Sequence, residues 1–232
     1  MTRAGHIPQQ SASSRTPRHR AFTTWVEEIC VQDAGARTAL RSGLRKNLDS
    51  VPRMHRMVAP WLPEGRLPVD TERAYYAVAA MIAAQPRSAQ RIKSGPAETD
   101  GSDEATRKPA SRVYGTSLGT AFALAVVEGP VREKEMRAGT AESRLNLLTR
   151  QSVNGLHRHL PASVGYLRSV GVPVDWAQLL DDLSNWGRHS GRISRRWLQD
   201  FYRLRERAAR EAADRADEQE LSEADLAAAD AT

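Results

Sequence analysis

Arginine is the residue type in this chain whose number and spacing could do chemistry, and that chemistry is phosphate binding. Arg37, Arg41 and Arg45 recur at every fourth position, with Lys46 and Arg53 close behind. On a helix this spacing stacks side chains on one face. Arg192, Arg195 and Arg196 form a second group, which Arg188 upstream and Arg203 downstream extend, and Arg144 and Arg150 form a third. A guanidinium presents a planar fork of donors that matches phosphate oxygens, and it sheds water more readily than an ammonium does. The charge balance points the same way. The chain carries 34 basic and 28 acidic side chains, a net +6, but from Glu211 onward there are 8 acidic residues and 1 basic one. The remainder therefore holds 33 basic against 20 acidic residues, or +13. A surplus of this size on a folded body favours a polyanion as partner.

Catalytic constellations fail by geometry. His157 and His159 are two residues apart, so on a helix they diverge by about 200° and cannot share a metal. A polar face or an interface is the expected place for them. Asp181 and Asp182, being adjacent, also diverge on a helix, as do Glu133 and Glu135. Gly115 to Thr120 lacks the lysine of a phosphate-binding loop. Cys30 falls on an apolar stripe, where a small buried hydrophobe is the expected role. We therefore expect no enzyme activity, no catalytic residue, no metal and no cofactor. A lone cysteine allows no intramolecular disulfide, and the sequence has no run of about 18 apolar residues. A cytoplasmic protein without a membrane contact is the expectation.

The elements that must position the arginines are helices. Phe22, Trp25, Val26, Ile29 and Cys30 follow helical spacing. Shorter helices are expected over 38–48 and 51–61, the latter with Pro52 in its first turn. A longer one, capped by Asp70 or Thr71, should run to Pro86. Downstream, helices are expected over 117–127, 131–137, 142–150 and 152–170, with a cap at Ser152 and a kink at Pro161. Asp175 and Gln178 have the spacing of a capping box ahead of Trp176, Leu179, Leu180, Leu183 and Trp186, with Gly187 as a stop. Arg192 to about Arg207 should form the last strong helix, burying Ile193, Trp197, Leu198, Phe201 and Leu204. Trp25, Trp176, Trp186 and Trp197 lie on apolar stripes. Trp61 alone is left as a candidate platform for base stacking.

The resulting expectation is an all-α chain of two small helical bundles joined by a polar linker. Residues 1–20 read as a disordered basic arm and 21–86 as the first bundle. Residues 87–112, polar and rich in turn residues, read as the linker or an exposed loop. The second bundle spans 113–207, and 208–232 form an acidic tail.

These residues resemble a known family. Val172-Pro173-Val174-Asp175-Trp176-Ala177-Gln178-Leu179-Leu180, then Asp182-Leu183 and Trp186, is similar to a recurring stretch of CasB proteins, the small subunit of the type I-E CRISPR Cascade complex. Arg195-Arg196-Trp197 and Phe201-Tyr202 follow at the family's spacing, and Glu142-Ser143-Arg144 leading into Leu147-Leu148 resembles its other recognisable segment. The resemblance covers about residues 22 to 207 and is most specific from Glu142 to Tyr202. It implies a two-bundle helical protein that pairs with a second copy of itself inside the complex, beside the backbone subunits and the large subunit. It also implies contact with crRNA and with the target and displaced strands of target DNA, so that the R-loop is held open without catalysis. The family's binding role maps onto Arg144, Arg195 and Arg196, while Arg37, Arg41, Arg45 and Arg192 are added from charge spacing. Two other readings of the residues stay open: a stand-alone helical nucleic-acid-binding protein, and an assembly adaptor whose arginines meet acidic protein surfaces.

Overall fold

The computed structural model describes residues 15–85, 115–127 and 136–230. Among these residues the chain is all-α, as expected, with eight α-helices and no strand. In chain order they are α1 (Arg15–Gln32), α2 (Ala34–Arg41), α3 (Pro52–Val58), α4 (Val69–Ala83), α5 (Leu118–Val127), α6 (Ala138–Thr149), α7 (Val153–Ser169) and α8 (Trp176–Asp230). Short 3-10 turns occupy Leu48–Ser50 and Ala59–Trp61. The linker expected at 87–112 lies outside the described residues, as do most of the arm and most of the helix expected at 131–137. On either side of that linker the apolar faces meet in one buried cluster, running from Phe22 to Phe201.

Helix α8 organises that cluster. Asp175 caps its start: Oδ1 accepts from the Gln178 amide at 2.9 Å, and Oδ2 accepts from the Gly115 amide at 2.5 Å. The reciprocal half of the expected capping box does not form, because the Gln178 side chain reaches forward to Asp182 at 3.0 Å. Helical hydrogen bonding continues through Gly187, yet His189 leaves helical values at φ −133, ψ 22. The consequence is large. Asp182 and Trp197 would stand roughly 22 Å apart on a straight helix, but Trp197 Nε1 donates to Asp182 Oδ2 at 2.7 Å. The chain therefore turns a corner at His189, and a distal limb folds back on a proximal one. Trp186 and Trp197 meet across this corner, with ring centroids 5.1 Å apart.

The two limbs receive α1, α4 and α5. Helix α5 approaches most closely, because Gly119 presents no side chain where a Cβ would overlap the Trp197 backbone carbonyl. Gly187 does comparable work beside α4, where a Cβ would crowd the Asp70 carboxylate. Its glycine reflects close packing as much as helix termination, and the actual break lies two residues further on. On either side of the corner, Trp186 Nε1 and Ser194 Oγ donate to the Gln151 and Thr149 carbonyls at the end of α6, both at 3.0 Å.

Several boundaries differ from expectation. Helix α1 starts at Arg15, inside the expected arm, because Arg18 donates to the Trp61 and Leu62 carbonyls (3.2 and 2.8 Å) and His19 is buried. Helix α4 starts at Val69 without a side-chain cap, leaving Asp70 and Glu72 in its first turn, where the helix dipole favours them. Helix α6 starts at Ala138, which puts Glu142 in its interior. The Ser152 cap forms as expected, its hydroxyl accepting from Gly155 N at 3.3 Å, and α7 continues through Pro161.

Close approach at Gly119 makes a clear forecast. Gly119→Ala should destabilise the protein by about 2–4 kcal/mol, because the obstacle is backbone rather than a movable side chain. Gly139→Ala, whose Cβ would meet nothing within 4 Å, should be neutral or slightly stabilising. Urea unfolding of both variants checks this, and equal midpoints would contradict it.

Candidate nucleic-acid interface

A guanidinium can serve a nucleic acid only if the fold has not already used it, and the seven candidate arginines divide sharply on that point. Arg37 faces inward from α2. Its Nε donates to the Ala83 carbonyl at 3.1 Å and a terminal nitrogen donates to the Gln85 carbonyl at 2.5 Å. It thus closes the C-terminal end of α4, where carbonyls lack helical partners and the dipole favours a cation. The expected stripe of three is also interrupted. Helix α2 ends at Arg41, and Arg45 sits beyond it in a turn, with φ at 62°. Arg41 remains exposed at the helix end.

Arg196 is likewise committed. It forms an ion pair with Asp182, whose side chain is only 2% exposed while that of Arg196 is 42% exposed. Burial pushes the Asp182 carboxyl above the usual range, against the pull of Arg196 and of the Trp197 and Gln178 hydrogen bonds. Arg144 lies half-buried on α6 with its guanidinium 4.6 Å from the Tyr166 ring centroid, a cation–π contact. It borders a shallow depression together with Arg137.

Arg192 and Arg195 remain. Both are exposed on the distal limb of α8, directly after the corner, and neither has a partner among the described residues. Arg188 is exposed just before the corner, and Arg203 further along the limb. Further out the pattern changes to pairing along the helix: Arg210 to Glu206 at 3.1 Å and Arg207 to Glu211 at 3.8 Å. Along α8 the unpaired arginines thus lie nearer the corner and the paired ones further out.

The aromatic and histidine expectations resolve by burial. Trp61 packs against Trp25 and Phe22, with centroids 5.4 and 5.8 Å apart, so its ring joins the core rather than forming an open platform. Cys30 is buried, and burial pushes its thiol up to about 11. His157 departs from the expected polar face. It is 7% exposed, and burial together with the Arg73 charge pulls its imidazole down to about 4. It lines a cavity of about 230 Å³ with Arg45, Lys46, Arg73 and Arg158. Arg73 and Arg158 carried no signal in the sequence, because neither has another cation within a turn or two on its own helix and they lie far apart along the chain. No group of three or more His, Cys, Asp or Glu side chains able to hold a metal occurs among the described residues. No helix among them is long and apolar enough to cross a membrane.

Residues 36–202 match the family model of the CRISPR-associated protein Cse2. A chain of a CRISPR RNA-guided surveillance complex in a pre-nicking state is 37% identical, with a TM-score of 0.69 over 85% of this chain and 98% of that one. A chain of another CRISPR RNA-guided surveillance complex is 35% identical, with a TM-score of 0.65 over the same shares. CasB from Thermus thermophilus shares the fold at 23% identity, with a TM-score of 0.54 over 79% of this chain and 97% of that one. No curated protein matches the chain.

Two outcomes separate the structural arginines from the exposed ones. Arg196→Ala strands a buried carboxylate and should cost about 2–4 kcal/mol, whereas Arg192→Ala and Arg195→Ala should stay within about 0.5 kcal/mol of wild type. Thermal melts of the three variants decide the matter, and an undisturbed Arg196→Ala protein would contradict the assignment. His157 adds a pH dependence. Its folded value of about 4 lies below the ordinary 6.5, so its contribution is fully present above pH 6.5 and is lost as the pH falls toward 4. The loss should reach about 3 kcal/mol. In urea titrations across that window, His157→Gln should show a shallower decline than wild type; parallel declines would exclude the effect.

Proposed function

This chain belongs to the Cse2 family of CRISPR-associated proteins, and we propose that it is a non-catalytic small subunit of an RNA-guided surveillance complex that binds nucleic-acid backbone. The observation that carries the reading is the split among the arginines. Arg37 and Arg196 are spent on carbonyls and a buried carboxylate, while Arg192 and Arg195 project unpaired beside the corner of α8. Arg188 and Arg203 extend this surface along α8, and the exposed Arg41 and half-buried Arg144 add cations elsewhere on the body. A helix bearing unpaired arginines, with its tryptophans turned into the core, offers phosphate contacts and no base readout. Sequence choice would belong to the guide RNA.

Weak, sequence-blind contacts suffice for such a role. Opening a target duplex against a guide exchanges one duplex for another of similar stability, so a few backbone contacts tip the balance. The partners are then crRNA, the target and displaced DNA strands, the backbone and large subunits, and a second copy of this chain. That assignment rests on the likeness to chains of surveillance complexes and on the charge of the exposed limb. An intracellular, cytoplasmic setting follows from a partner of this kind.

The test is charge reversal at Arg192 and Arg195 together, in a reconstituted complex and in the isolated protein. Single-strand affinity of the isolated protein should fall about tenfold or more, and the salt slope should drop by roughly 0.7 for each phosphate contact removed. The complex should assemble normally but hold its R-loop less persistently. Failure of the complex to assemble would move these residues to a subunit interface. Unchanged affinity and unchanged R-loop lifetime would overturn the reading.

A further inference from the structure

We propose that the cavity enclosed by the turn after α2, by α4 and by α7 is a binding site for a phosphate group, separate from the exposed limb of α8. Its lining is electrostatically one-sided. Arg45, Lys46, Arg73 and Arg158 all border it, and the lining contains no carboxylate. Four permanent cations around one cavity repel each other, and an anion at their centre removes that repulsion.

The site is built from three directions. Arg73 on α4 donates to Asn154 Oδ1 on α7 at 2.5 Å, which fixes its guanidinium across the gap between the two helices. Arg158 stands one turn further along α7. The turn after α2 supplies Arg45 and Lys46, and it is held in a costly shape. Arg45 has a left-handed backbone at φ 62, uncommon for a non-glycine residue and sustained by its surroundings. Gly43 permits that turn to press on α3, since a Cβ there would overlap the Met54 sulfur. Lys46 N then bonds back to the Gly43 carbonyl at 3.0 Å.

A second, independent observation points to a ligand. His157 lines the same cavity and is more than nine-tenths buried, yet its Nε2 has no hydrogen-bond partner among the described residues. Buried polar atoms are ordinarily partnered, and one that is not calls for a group the protein does not supply. At neutral pH the imidazole is uncharged, so it adds nothing to the repulsion among the permanent charges. A tetrahedral oxyanion can accept from several of those charged donors at once. Size narrows the choice further. At about 230 Å³ the cavity is smaller than the roughly 300–1,000 Å³ of sites for drug-sized ligands, but it accommodates a phosphate group with several waters of roughly 30 Å³ each. The ligand is thus the phosphate group itself, whether free or presented by a nucleic-acid strand.

The experiment uses the full-length protein and inorganic phosphate, titrated at constant ionic strength against chloride. Wild type should gain about 3–5 °C in Tm at phosphate tenfold above its dissociation constant. Arg192→Glu with Arg195→Glu should keep that gain, which makes this result independent of the function proposed for α8. Two variants should lose it. Arg73→Gln with Arg158→Gln removes two charges; Arg45→Gly removes one and relaxes the backbone, so its Tm in chloride should rise while its phosphate response falls. A fully retained response in Arg45→Gly and in the double variant, or no response in wild type, overturns the site. In the α8 variant, competition between phosphate and a single-stranded oligonucleotide, with or without a 5′-phosphate, tells the sources apart. Competition by both oligonucleotides identifies a strand backbone, competition by the phosphorylated one alone identifies a strand end, and none identifies free phosphate.

Discussion

A buried carboxylate staples the corner on which this protein is built. Asp182 stands on the proximal limb of α8, seven residues before the break at His189, and its partners Arg196 and Trp197 stand on the distal limb. Gln178 adds a third donor from one turn upstream. A carboxylate out of water is costly unless its lone pairs are met, and here two of the three donors that meet them, Arg196 and Trp197, are available only when the limbs fold together. The polar group therefore selects one angle for the corner. Apolar contacts between Trp186 and Trp197 would tolerate several. Once the corner is set, Gly119 lets α5 lie against the Trp197 backbone, and α1 and α4 fill the remaining faces.

The same constraint explains why arginine count alone misleads. Adjacent residues Arg195 and Arg196 look equivalent as a charged pair, yet one reaches solvent and the other reaches Asp182. Arg37 and Arg41 divide similarly, because one turn of α2 separates the exposed end of the helix from the carbonyls of Ala83 and Gln85. A guanidinium suits a helix end or a buried carboxylate for the same reason it suits a phosphate: a fixed fork of donors and weak hydration. Only the position of neighbouring acceptors decides which it serves.

Much of the fold was legible from periodicity. The apolar spacing from Phe22 to Cys30, the Asp175 and Ser152 caps, and the burial of Trp176, Trp186 and Trp197 all follow from local pattern. What was not legible depends on distant partners. Arg18 and His19 look like a polar arm until the Trp61 and Leu62 carbonyls and the core are brought alongside. Trp61 looks available until Trp25 and Phe22 are placed next to it. Gln178 has the spacing of a capping box, but the buried Asp182 carboxylate four residues on competes for its amide and wins. The cationic cavity is the extreme case, since Arg45, Arg73 and Arg158 belong to three separate elements and share no spacing at all. Of the candidate arginines, the ones on the distal limb were visible as a face; the corner that isolates them was not.

Helix α8 also outlasts the body it organises. From Glu206 to Glu220 nearly every residue is exposed, and helical backbone continues to Asp230. An isolated helix must first form a costly nucleus, but this stretch inherits its nucleus from the buried limb and needs only to propagate. Its length is then a graded quantity, set residue by residue by alanine-rich propensity and by pairs such as Arg210 with Glu206. Warming, or salt that screens those pairs, would shorten the rod from its free end while leaving the corner untouched. The protein thus combines a base that melts all at once with a projection whose reach is tuned continuously by its surroundings.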